Sequence, residues 1–130
     1  MVDESKVLVI EDDAAYRHDL ETVLTFLGED TVPASSSNWS DHVEINIKTS
    51  SRIAVAIIGS LDSIRLENLL SDIHDREACI PFVILGKDRV SDSLSSQLKS
   101  RITAFLNRNL SYQSLLDALH KSKLFYNHHN

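Results

Sequence analysis

The sequence predicts an α/β fold: one doubly wound, five-stranded parallel sheet in the order 2-1-3-4-5, with helices on both faces. Three observations lead there. Short apolar runs without polar alternation recur along the 130 residues, as expected of strands covered on both sides. Between them the apolar spacing changes to three and four, the period of amphipathic helices. The strand–helix alternation repeats five times, which calls for parallel strands joined by crossovers.

The first strand is Val7-Leu8-Val9-Ile10, running straight into the acids Glu11-Asp12-Asp13. Asp13 is placed to cap the next helix, on which Tyr16, Leu20, Val23, Leu24 and Leu27 share a face. Gly28 ends that helix as a C′ residue. Glu29 to Ala34 reads as a short second strand at the rim of the sheet, because Pro33 has no amide to donate. Ser35-Ser36-Ser37 supply N-caps for a second helix with Trp39, Val43 and Ile47 on one face. Ile53 to Ile58 is apolar throughout and forms a central strand. Leu66, Leu69, Leu70 and Ile73 mark the third helix. Pro81 to Leu85 is a buried strand that starts on a proline, where a missing donor is tolerated, and closes at Gly86. Val90, Leu94 and Leu98, four apart in a serine-rich segment, predict a fourth helix with a thin apolar stripe, the least stable element. Ile102 to Leu106 is the last strand. Tyr112, Leu115, Leu116 and Leu119 place a stripe on a closing helix that Ser111 can cap and that runs to about Phe125.

Composition narrows the function. A formal net charge of −6 and a pI near 5.4 argue against a direct nucleic-acid surface, which needs clustered Lys and Arg. No apolar run approaches the ~20 residues that cross a bilayer, so no membrane partner is expected. Cys79 is the only cysteine, so no internal disulfide framework exists, and a reducing cytoplasm is the expected location. Cys79 beside Ile80 reads as an inert core residue. The six histidines are scattered without the spacing of a zinc site, and Trp39 reads as a packing residue.

The chemistry concentrates at the strand ends. In a doubly wound sheet the ends of the first and third strands flank the switch point, so Glu11, Asp12 and Gly59 are expected to meet there. An acid pair in that place suits a hard cation such as Mg²⁺. Gly59, however, carries no nucleophile. Ser60 lies one residue on, where the pleat turns it away, and Asp62 is a displaced alternative three residues along the loop. The acids also admit a plainer role, Asp13 capping the helix and its neighbours favouring the helix N-terminus.

Over nearly its full length the chain resembles the receiver domains of two-component signalling, which have the CheY/flavodoxin-like fold. The resemblance rests on Val7-Leu8-Val9-Ile10-Glu11-Asp12-Asp13, Ile53 to Ile58, Pro81 to Leu85 and Phe105-Leu106-Asn107-Arg108. It implies that Glu11 and Asp12 match a Mg²⁺-holding acid pair and that Gly59 occupies the phosphoacceptor position. Gly86 falls where the family has Thr or Ser, Phe105 on its aromatic switch, Arg108 on its Lys and Asn109 on its cis-proline. The scaffold is retained and the input chemistry is lost. With two acids instead of three carboxylates, Mg²⁺ binding is expected to be weak at most, and no cofactor is implied. Arg108 is expected to close the pocket by a fork-like pair with Glu11 or Asp12.

Phe26-Leu27-Gly28-Glu29-Asp30, Ile57-Ile58-Gly59-Ser60 and Ser111-Tyr112-Gln113-Ser114-Leu115-Leu116-Asp117-Ala118-Leu119-His120 are similar to the N-terminal domains of FleQ/FlrA-type flagellar master regulators. Those are sigma-54-dependent enhancer-binding activators. The resemblance implies a non-enzymatic, atypical receiver domain over residues 1–126, followed at 127–130 by a mobile end or the start of a linker. The AAA+ ATPase and DNA-binding domains would belong to the rest of the full-length chain. Regulation would run through homodimerisation or interdomain contacts, with Leu94, Leu98, Phe105 and Tyr112 as a dimer surface unless they face inward. Two other functions compete: a phosphorylatable receiver using Asp62, and a small flavodoxin-like enzyme or ligand-binding domain, which the lack of a Gly-rich phosphate loop disfavours.

Overall fold

The computed structural model of the chain describes residues 5–48, 52–59 and 61–129. Five strands alternate with five helices: β1 (Ser5–Glu11), α1 (Ala14–Phe26), β2 (Thr31–Ala34), α2 (Trp39–Lys48), β3 (Arg52–Gly59), α3 (Ser63–Arg76), β4 (Phe82–Leu85), α4 (Ser96–Lys99), β5 (Ile102–Leu106) and α5 (Tyr112–His129). The strands form one parallel sheet in the order β2-β1-β3-β4-β5, as the alternation predicts.

Pleating divides the core in two. Leu8 and Ile10 of β1 join Trp39, Val43, Leu66, Leu70 and Phe82 on one face. Val7 and Val9 join Leu20, Leu24, Leu115 and Leu119 on the other. Strands apolar on both faces are thereby accounted for, since each face has its own helices to bury against. Trp39 is a packing residue, as expected, while the Ile47 side chain lies outside the described residues.

Caps fall mostly where the sequence places them. The Asp13 side chain accepts from the amides of Ala15 and Tyr16, and Ser111 Oγ accepts from the Ser114 amide at 3.1 Å. Gly28 takes φ +87° after α1. The second helix differs: the residue before its first turn is Asn38, and the serines build the turn that precedes it. Trp39 donates to the Ser35 carbonyl, and Asn38 Oδ1 accepts from the Ser35 amide at 2.7 Å.

Four further expectations change. The second strand starts at Thr31 rather than Glu29, because the Glu29 amide donates to Leu24 O and closes the helix end instead. The fourth helix shrinks to one turn, Ser96–Lys99. Its upstream serines satisfy one another locally, with Ser91 Oγ and Ser93 Oγ 2.7 Å apart and the Ser93 amide on Ser91 Oγ, which competes with helix formation. Helix α5 continues past Phe125 to His129, with the Arg101 guanidinium 5.7 Å above the Phe125 ring. Cys79 is half-buried rather than a core residue.

Candidate functional site

The β1–β3 register places Glu11 beside Gly59. From there the two acids part. Alternate residues of a strand point to opposite faces, so Glu11 continues the side of Val7 and Val9, toward α1 and α5. Asp12 turns toward α2 and α3.

Glu11 is fully buried, a position that an acid tolerates only when paired and hydrogen-bonded. Its Oε1 accepts from Arg108 Nη1 at 3.2 Å, and its Oε2 accepts from the Asp13 amide at 3.0 Å. The expected contact of Arg108 with an acid is therefore made to Glu11 rather than Asp12, through Nη1. Both glycines of the site belong to this pair. A Cβ at position 59 would lie 2.7 Å from Glu11 Oε1, inside any permitted contact, so the carboxylate fills the space a side chain there would need. Gly86 takes φ +78°, and a Cβ on it would lie 3.3 Å from Arg108 Cγ and 3.4 Å from Cδ. The arginine stem passes over a residue that only glycine adopts readily.

Tyr16 supports the same arginine. Its Oη donates to the Arg108 carbonyl at 2.7 Å, and the Arg108 guanidinium stands 4.0 Å from its ring centroid. The sequence shows Tyr16 only as one member of the apolar stripe of α1; nothing local marks a contact to residue 108.

Asp12 makes a separate clasp. It accepts from the Ser36 amide and from Ser36 Oγ, both at 2.7 Å, and from Arg65 Nη2 at 3.0 Å. Partial burial pushes its carboxyl up, but the Ser36 bonds and the Arg65 guanidinium outweigh that and hold it below the ordinary 3.8. The serine cluster thus contributes a ligand for Asp12. Among the described residues no group of three or more His, Cys, Asp or Glu gathers as a metal site.

The remaining positions disperse. Asp62 caps α3, its Oδ1 accepting from the Arg65 amide at 2.9 Å; Ser60 lies outside the described residues. Leu98 is buried, and Leu94 and Phe105 pack against the core. Of the four residues expected on a dimer surface, only Tyr112 is largely exposed, stacked on Phe26 with ring centroids 5.6 Å apart. A cavity of about 300 Å³ opens beside Lys87, Phe105, Asn107, Asn109 and Ser111. No described helix is long and apolar enough to cross a membrane.

Residues 6–124 match the family model of the flagellar regulatory protein FleQ. Among solved structures, a CheY-like response-regulator receiver domain of Methanospirillum hungatei aligns over 97% of this chain and 98% of its own at a TM-score of 0.73 and 15% identity. The signal receiver domain of an HD-domain protein from Pseudomonas fluorescens aligns over 98% and 93%, with TM-score 0.68 and 17% identity. A receiver domain from Clostridium thermocellum aligns over 92% and 94%, with TM-score 0.66 and 17% identity. At such identities these neighbours establish the receiver fold alone.

Proposed function

The chain belongs to the family of the flagellar regulatory protein FleQ, and we propose that it is a regulatory receiver domain that takes no phosphoryl group. It works through contacts, as part of a sigma-54-dependent activator of flagellar genes in the cytoplasm, with an AAA+ ATPase domain on the same full-length chain. The observation carrying this reading is the 2.7 Å approach of Glu11 Oε1 to the Cβ position of Gly59. The acceptor space holds a carboxylate of the protein itself, neutralised by Arg108. Asp12, the other acid, is engaged by Ser36 and Arg65, which leaves neither carboxylate in the open form that a hard cation requires.

Homodimerisation is part of the proposal. Helix α5 buries Leu115, Ala118 and Leu119 and still exposes Tyr112, Leu116 and Leu124, at 57%, 44% and 50%. A second apolar stripe on a helix whose first is already buried suits a protein partner.

The test is a titration of Mg²⁺ with beryllofluoride, followed by backbone amide shifts near Gly59 and by sedimentation. The expected result is no response together with a concentration-dependent dimer that Leu116→Glu weakens. A saturable shift centred on Asp62 would instead make the domain a displaced phosphoreceiver and sink the proposal.

A further inference from the structure

We infer that Tyr16 is the positioning residue of the buried pair, holding Arg108 by its backbone and its guanidinium together so that the side chain stays over Gly86 and against Glu11. The inference rests on the closed-pocket reading above. Four hydrogen bonds form a circuit. Arg108 Nη1 donates to Glu11 Oε1 at 3.2 Å; Glu11 Oε2 accepts from the Asp13 amide at 3.0 Å. Asp13 Oδ1 accepts from the Tyr16 amide at 3.2 Å; Tyr16 Oη donates to the Arg108 carbonyl at 2.7 Å. Each member is oriented by the two beside it.

Arg108 needs such a hold. It stands in the loop between β5 and α5, its side chain is 39% exposed, and a long arginine stem can swing its head group to water. The contact with Glu11 fixes the far end of that stem. Tyr16 adds the ring beneath the guanidinium, a cation–π contact, and the hydroxyl on the carbonyl, across 92 residues of sequence. Phenylalanine would supply the ring alone, and an aliphatic residue neither contact. The phenol is suited to donating: burial pushes its pKa up, Arg108 opposes, and Glu11 and Asp19 add to the rise. The link also ties α1 to the loop whose Asn107, Asn109 and Ser111 line the neighbouring cavity.

The experiment uses the intact 130-residue chain and follows the Arg108 side chain by ¹⁵N NMR, reading guanidinium Hε exchange and the ring-current shift of its Hδ protons. Tyr16→Phe should keep the shift and speed exchange ~5-fold, the loss of one hydrogen bond. Tyr16→Leu should abolish the shift and speed exchange further, approaching Glu11→Gln. Backbone amides of the sheet should stay in place throughout, and if the leucine variant unfolds, the phenylalanine variant decides alone. Unchanged Arg108 exchange in Tyr16→Phe, with release in Glu11→Gln, would overturn the role of Tyr16 and leave the pair standing. Free-arginine exchange in the unsubstituted chain would overturn the closed pocket itself, and this inference with it.

Discussion

Glu11 and Asp12 are neighbours in sequence and opposites in structure. Glu11 is fully buried, paired with Arg108, and closed in by two glycines. The Asp12 side chain is 32% exposed and reaches a surface arginine that is itself 55% exposed. The lesson is that one step along a strand end decides whether a carboxylate belongs to the core or to the solvent. The same ion pair chemistry then differs in weight, because water and salt screen the outer pair and leave the inner one strong.

The largest break in this contrast is Gly59→Asp, the change that puts a carboxylate at the end of β3. It forces a second carboxylate against Glu11 Oε1 in a buried space, and the expected loss is about 3–5 kcal/mol by urea denaturation, the cost of an uncompensated buried charge. Phosphorylation should not follow, which mass spectrometry after acetyl phosphate treatment would check.

Arg108→Ala comes next. It takes the guanidinium from the buried Glu11 carboxylate, though partial exposure of the site lets water in, and about 2–3 kcal/mol is expected on the same scale. A loss no larger than that of a surface variant would erase the contrast between the two acids.

Gly86→Ala should cost about 1–2 kcal/mol from the left-handed backbone, with crowding of the Arg108 stem at 3.3 Å as a further strain. Combining it with Arg108→Ala sharpens the comparison: the crowding is then relieved, so the two losses should sum to less than their separate values.

Asp12→Ala and Arg65→Ala sit at the small end, below about 1 kcal/mol each and reduced by salt. Their pH signature has a defined sign. The folded Asp12 carboxyl lies below its ordinary 3.8, so its contribution is present above the unfolded value and is lost as pH falls through the folded one. Acid titration of stability should therefore show a shallower fall below that value in Asp12→Asn than in the unsubstituted chain.

Much of this was legible in the chain. The succession of strands and helices, the Asp13 and Ser111 caps, and the stop at Gly28 follow from periodicity and turn chemistry, which are local. The pairing of Arg108 with an acid was also expected, because the resemblance to receiver domains puts residue 108 at the strand ends beside Glu11 and Asp12, and a guanidinium there pairs with a carboxylate. Helix α4 was not. The stripe of Val90, Leu94 and Leu98 has helical spacing, but all three residues reach the core from turns and one short helix, and the serines between them bond to one another. Leu94, Leu98 and Phe105 turn toward the core for a related reason: spacing alone does not say which side of a thin stripe faces inward.

By itself the sequence determined the succession of apolar strands and amphipathic helices that a doubly wound sheet needs, and a glycine without a nucleophile at the end of the third strand, since apolar period and the absence of a side chain at Gly59 are properties of single segments. Only the tertiary structure decided what fills the space beside Gly59. That Glu11 turns in and Asp12 out, that Gly59 and Gly86 make room for one ion pair, and that Tyr16 holds it are facts of through-space geometry. They join residues of β1, α1, β3, the turn after β4 and the loop after β5, separated by up to 97 positions, and no local pattern encodes distances of that kind.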